Sequence, residues 1–223
     1  MFPSTLRGKL IVSCQAAPGD PLDDVDTLRR LALSVLRGGA GGLRANGVEC
    51  IEAFRRETAL PIIGILKRYE AGEVAITPDF AAAAAISAAG ADVIGLDCTA
   101  RRLTAREPWP QLIARIHREL GKPVLADIAT LDEALAAEAA GADAVATTLY
   151  GFTPETANFR AVSWELVDAL VKQVKVPVIV EGHVTQPEEV KRALDASAYA
   201  VVVGSAITRP ESITARFVKS IHN

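Results

Sequence analysis

The sequence has little of what most interaction and metal-binding proteins display. Aromatic residues make up 5% of 223 residues, and there are three histidines, two tryptophans and one methionine. The formal charge is −3 with a sequence pI near 5.7, and no basic stripe interleaved with aromatics occurs, so nucleic acid is excluded as an expected partner. The three cysteines, Cys14, Cys50 and Cys98, are odd in number, far apart and form no CxxC pair. They read as reduced thiols, which points to the cytoplasm. No apolar run reaches the roughly 20 residues that span a bilayer. Arg7 and Lys9 ahead of Leu10-Ile11-Val12-Ser13-Cys14 imitate a lipoprotein signal, but the run is too short for one and reads as a first strand. The alanine-rich run after Phe80 meets Asp92 too soon to cross a membrane. His117 and His222 are expected at the surface, and with only His183 near a strand end no metal site is expected.

What is present is a regular alternation. Short runs rich in Val and Ile predict eight strands: Leu10–Gln15, Gly42–Arg44, Ile62–Lys67, Val93–Asp97, Val124–Asp127, Ala144–Thr148, Val178–Glu181 and Ala200–Val203. Between them, segments such as Asp24–Arg37, Pro110–Leu120, Leu131–Ala140, Trp164–Val174 and Pro187–Leu194 carry apolar residues at spacings of three and four. The pentapeptide Ala-Ala-Gly-Ala-Asp occurs at Ala88–Asp92 and again at Ala139–Asp143, before strands four and six. Its glycine suits a left-handed helix cap, and Gly38–Gly42 and Ala196–Ala200 are degenerate copies before strands two and eight. Together these features predict a single (β/α)8 barrel over residues 1–223, with a doubly wound open sheet as the other arrangement.

The last two strands stop at Gly182 and Gly204, with an amphipathic helix between them and Ser205 following. Glycines let backbone N–H groups approach an anion, and a helix N-terminus adds donors. In a (β/α)8 barrel this is the place for a substrate phosphate, and Arg209 adds a charged fork.

Buried parallel strands should read as continuously apolar. Five of these instead end on Gln15, Arg44, Lys67, Asp127 and Glu181. Side chains alternate, so Lys67 shares a face with Ile63 and Ile65, Asp127 with Leu125, and Glu181 with Ile179. Four of the five lie on odd-numbered strands, which predicts that they converge at the barrel mouth as one layer with Arg44 beside them. The plainer alternative is a set of charges capping the barrel as ion pairs. Asp97 either faces the mouth or accepts local N–H bonds. Arg101 and Arg102 read first as solvated loop charges and second as ligand contacts. His183 follows Gly182 in the phosphate loop, and Thr148 and Tyr150 close strand six either in packing or against substrate, whereas Trp109 and Trp164 read as packing anchors. A lysine that ends an apolar run can lose proton affinity and act as a neutral base.

The segments IIGILKRY, EVAITP, LADI, TTLYGFT, VIVEG and AYAVVVGSAITRP together resemble the N-acetylmannosamine-6-phosphate 2-epimerases of sialic acid catabolism, over nearly the whole chain. The resemblance implies a metal-free and cofactor-free isomerase acting on an N-acetylated amino sugar 6-phosphate. It implies that Lys67 moves the C2 proton with help from Glu181, and that Asp127 aids ring opening or holds polar sugar groups. It assigns Gln15 and Arg44 to positioning the sugar, and Gly182, Gly204, Ser205 and Arg209 to the phosphate. The sequence departs from the family pattern at Tyr150, His183 and Asp79. A Schiff-base aldolase, a metal-dependent pentose phosphate epimerase and a non-catalytic sugar-phosphate binder are the competing functions. One apolar side of the terminal helix Ser212–Ile221 predicts a homodimer contact.

Overall fold

Eight parallel strands close on themselves in chain order: β1 (Leu10–Cys14), β2 (Gly42–Asn46), β3 (Ile62–Ile65), β4 (Val93–Asp97), β5 (Val124–Asp127), β6 (Ala144–Ala146), β7 (Val178–Glu181) and β8 (Ala200–Val203). The computed structural model describes residues 1–70, 73–103 and 105–221; His222 lies outside them. β8 pairs back onto β1, with Leu10 level with Val201. Helices α1 (Val25–Arg37), α2 (Val48–Glu57), α3 (Phe80–Ala88), α4 (Trp109–Leu120), α5 (Leu131–Ala139), α6 (Trp164–Gln173) and α7 (Pro187–Asp195) connect successive strands, and α8 (Ser205–Thr208) and α9 (Pro210–Ile221) follow β8. This is a (β/α)8 barrel.

The interior is filled from alternate residues of the strands. Ile11, Ile63, Val93, Leu125, Ala144, Ala146, Ile179, Ala200 and Val202 form one buried cluster, which Phe2 and Leu6 plug from below. The outward-facing residues pack on the helices in a second, larger cluster. The predicted faces of Ile63, Leu125 and Ile179 are therefore the interior ones.

The repeated pentapeptide is a structural device used four times. Gly39, Gly90 and Gly141 have φ of 95°, 106° and 99°, and Ser197 takes the same role at 72°. In each case the next amide closes back onto the helix: Ala40 onto Val35, Ala91 onto Ile86, Ala142 onto Ala137 and Ala198 onto Ala193. That 6→1 closure satisfies orphan helix carbonyls and sets the angle at which each even-numbered strand enters. The aspartate of the motif then reaches sideways. Asp92 accepts the amide of Ile62, and Asp143 accepts the amide of Val124, so each ties the start of its own strand to the strand before it. His117 of α4 pairs with Asp143.

The elements differ from expectation at their C-terminal ends, where function resides. β3 stops at Ile65, and Lys67 opens a separate antiparallel hairpin, Lys67–Glu70 with Glu73–Ile76. The cause is local. Leu66 exchanges hydrogen bonds with Thr77, and the Lys67 amide goes to Asn46 Oδ1 at 2.8 Å instead of to a neighbouring strand. β6 stops at Ala146 because Thr147–Leu149 tighten into a 3-10 turn. β2 runs two residues past Arg44, and β1 stops one residue short of Gln15.

Candidate active site

The C-terminal rim of the barrel encloses a cavity of about 980 Å³. Nine of the ten predicted site residues line it: Gln15, Arg44, Lys67, Thr148, Glu181, Gly182, Gly204, Ser205 and Arg209. Asp127 does not. It is completely buried, beneath the floor.

The floor is built on one guanidinium. Arg44, 1% exposed, grips Asp127 with both terminal nitrogens at 3.0 and 2.6 Å and also reaches Glu181 at 2.5 Å. Thr148 donates to Asp127 at 2.6 Å. Thr147 fixes the end of β7 by donating to the Glu181 carbonyl and accepting its amide. The planar fork of arginine suits this two-carboxylate arrangement as no lysine could. Burial alone would lower the proton affinity of Arg44, but the two carboxylates override it and raise it.

This arrangement corrects the expectation of a single layer. Register places Arg44 level with Ser13 and Ile63, two residues before Gln15 and four before Lys67 along their chains. The mouth thus has two tiers, because the barrel's strands are staggered. A lower tier of Arg44, Asp127 and Glu181 is charge-balanced to within one unit. An upper tier of Lys67 and Gln15 faces the cavity past the strand ends. Ion pairing and site formation are therefore both present, at different heights.

Proton affinities shift in both tiers, at Lys67 above and Glu181 below. Burial lowers the Lys67 ammonium to about 8, and the Arg44 charge pushes in the same direction against the pull of the two carboxylates. Glu181 is raised to about 7, chiefly by burial, with Asp127 adding to the rise and Arg44 opposing it. An amine and a carboxyl in one cavity are thus both brought near neutrality, which is the condition for proton transfer in either direction.

Across the mouth lies a cradle. Gly182 has φ of 95°, a left-handed angle that favours glycine, beside the carbonyls of Thr147 and Thr148. Gly204 precedes α8, whose Thr208 hydroxyl donates to the Ser13 carbonyl and holds the short helix against β1. Arg209 stands 3.7 Å from Asp20 and remains one-third exposed.

The weaker candidates separate cleanly. Asp97 accepts from the Thr99 amide and hydroxyl and from Arg101, so its local role prevails. Arg101 lines the cavity while donating to Asp97 and to the Val74 carbonyl. His183, at φ 57°, also lines it, with its ring stacked on Phe152 and Nε2 against the Tyr150 carbonyl. Tyr150 stacks on Phe159. Trp109 is buried, with its indole N–H on the Thr99 carbonyl, and Trp164 carries the Arg192 guanidinium on its face. Sequence reasoning missed Ser13, Val74, Ile76 and Arg216 as lining residues. Ser13 was findable, since it lies two residues before Gln15 on the interior face. The hairpin residues were not, because their position depends on where β3 stops. Among the described residues, no three His, Cys, Asp or Glu side chains cluster as metal ligands do.

With this geometry in view, the comparisons are decisive. The family model described as "Putative N-acetylmannosamine-6-phosphate epimerase" matches residues 28–223. The chain belongs to this family. Relatives of the corresponding name include one from Clostridium perfringens, 44% identical over 95% of this chain and 96% of its own length, and one from Thermosynechococcus vestitus, 48% identical over 91% and 89%. The solved structure of the N-acetylmannosamine-6-phosphate 2-epimerase from Clostridium perfringens is 42% identical, covers 97% of this chain and 94% of its own, and superposes with a TM-score of 0.92. A thiamine phosphate pyrophosphorylase from Pyrococcus furiosus, 18% identical with a TM-score of 0.65, shares the fold.

If Arg44 is what makes the floor stable, Arg44→Ala strands two buried carboxylates and should cost about 3–5 kcal/mol at pH 7. In the variant Glu181 loses the charge that opposes its rise and holds its proton more tightly than when unfolded, so the deficit should shrink as pH falls toward 5. Chemical denaturation at the two pH values checks both points, and a neutral substitution at pH 7 would contradict them.

Proposed function

We propose that this chain interconverts N-acetylmannosamine 6-phosphate and N-acetylglucosamine 6-phosphate, with Lys67 as the base that removes and returns the C2 proton. Membership of the family carries the isomerase activity, and the location of Lys67 carries the mechanism. A lysine lowered to about 8 is roughly one-quarter neutral at pH 7.5, against about one part in a thousand for an ordinary lysine.

The reaction needs the open-chain sugar, whose C1 carbonyl makes the C2 proton acidic. Lys67 takes that proton, the C2–H electron pair moves into a C1–C2 double bond, and negative charge develops on O1. The enolate then turns its opposite face to Lys67, which returns the proton there and completes the inversion. Glu181, partly protonated near neutrality, donates to sugar oxygens during opening and enolisation. Asp127 acts through Arg44 and Thr148 rather than on the sugar: it fixes the guanidinium that, with Gln15, positions the substrate. The phosphate sits in the cradle of Gly182, Gly204 and Ser205, with Arg209 as its cation. Its binding energy orients the reacting carbon over Lys67.

The same reading places the protein in the cytoplasm as one catalytic domain spanning residues 1–223. The three buried thiols suit that compartment, and among the described residues no helix is long and apolar enough to cross a membrane. We assign α9 to contact with a second copy of the chain: none of its residues is buried, and Phe217, Val218 and Ile221 are exposed along it.

In heavy water, a solvent deuteron should appear at C2 of both sugar phosphates as they interconvert. Lys67→Ala should abolish that exchange while phosphate-dependent binding survives. Exchange persisting in the variant would show that another group is the base. Sedimentation at micromolar concentration should give a dimer that Phe217→Asp converts to a monomer, and a monomeric wild type would end the assignment of α9.

A further inference from the structure

We propose that the hairpin opened by Lys67 forms the pocket for the acyl chain on the C2 nitrogen, with Val74 and Ile76 as its apolar wall. The inference rests on the epimerase reading of this site.

In a ring of eight strands, β3 stands opposite β7. A substrate held by its phosphate at the ends of β7 and β8 therefore directs its other end toward β3. Lys67 must reach C2, and the amide nitrogen is bonded to that same carbon, so the acyl group lies against whatever surrounds Lys67. In the hairpin, Ile76 is the residue paired directly with Lys67, and Val74 is paired with Tyr69. Directly opposed residues of an antiparallel pair share a face, and so do residues two apart. Ile76 and Val74 accordingly stand beside the lysine, and both line the cavity. Ile76 continues inward through a buried cluster with Ile65, Leu149 and Ala129.

The chemistry of this wall matches only one part of the substrate. A sugar phosphate offers hydroxyls, a carbonyl and an anion, all of which need polar partners, and the cradle at β7 and β8 supplies them. An aliphatic surface next to the base suits the hydrocarbon end of an N-acyl group. Arg101 completes the pocket from the other side. It donates to the Val74 carbonyl at 3.4 Å and to Asp97 at 2.9 Å, and its remaining donors serve an acyl carbonyl. The wall is open outward, because Val74 is 36% exposed while Ile76 is 4% exposed. A longer acyl chain extends along Val74 instead of meeting a closed end.

The test compares binding of N-acetyl- and N-butanoylglucosamine 6-phosphate by calorimetry in the wild type, Val74→Asn and Phe152→Ala. The wild type should bind the butanoyl compound at least as tightly as the acetyl one. Val74→Asn should lower the butanoyl-to-acetyl affinity ratio by roughly tenfold, the scale of added methylenes losing an apolar wall. Phe152→Ala, altered in the same cavity where its ring stacks on His183 instead of beside the hairpin, should leave the ratio unchanged. An unchanged ratio in Val74→Asn, or a shift in Phe152→Ala instead, would overturn the assignment. Turnover of the N-acetyl compound by the wild type is read separately: its absence would remove the epimerase reading, whereas the binding ratio reports on the wall alone.

Discussion

One buried guanidinium organises the mouth of this barrel. Arg44 bridges Asp127 on β5 and Glu181 on β7 from its own place on β2, so a single side chain ties together strands that lie far apart around the ring. Desolvating three charged groups is costly, and paired carboxylates offset that cost only when their hydrogen bonds are nearly complete. Here the Thr148 hydroxyl and both terminal nitrogens of Arg44 supply those to the carboxylates. Such a cluster is a poor choice for stability alone, since an apolar floor would serve as well. Its value lies in what it does to the tier above.

That tier contains Lys67, and the sign of each influence on it can be traced. Burial withdraws water from the ammonium, and the Arg44 charge repels it. Glu181 and Asp127 attract it, but Arg44 already neutralises much of their charge. The balance leaves the amine near 8. If the carboxylates were unpaired, the lysine would remain a fixed cation and could not accept a proton. If Glu181 had no Arg44 beside it, its proton affinity would rise further above the present value of about 7. Arg44 thus keeps the acid and the base of one site close together in proton affinity. Linkage has a consequence for stability as well. Lys67 holds its proton less tightly folded than unfolded, so this group disfavours the folded state below about pH 8 and ceases to do so as pH rises toward 10.5.

Most of the barrel could be read from the chain, for identifiable reasons. The Ala-Ala-Gly-Ala-Asp motif marks helix ends because a left-handed residue and an immediate new strand leave a compositional trace. Ser197 shows the limit of that trace, since it takes the left-handed position without being glycine. The interior faces followed from the alternation of Ile63, Leu125 and Ile179. The polar strand ends were conspicuous because buried parallel strands rarely contain such residues. Hidden from sequence was height. Whether Asp127 touches substrate or lies under Arg44 depends on the stagger between strands, which no local pattern encodes. The hairpin was hidden for a different reason: its first residue continues an apolar run, so Ile62–Lys67 looked like one strand until Thr77 and Asn46 were seen to capture the amides of Leu66 and Lys67.

The account depends most on the proton affinity of a single amine. Titration of Lys67 by carbon-detected NMR, with 13C-lysine labelling and Lys67→Arg to assign the resonance, measures it directly. We expect a midpoint near pH 8 in the wild type and a higher one in Arg44→Met, where the carboxylates are left to attract the ammonium. A wild-type midpoint at 10 or above would contradict the claim that this cavity makes Lys67 a base.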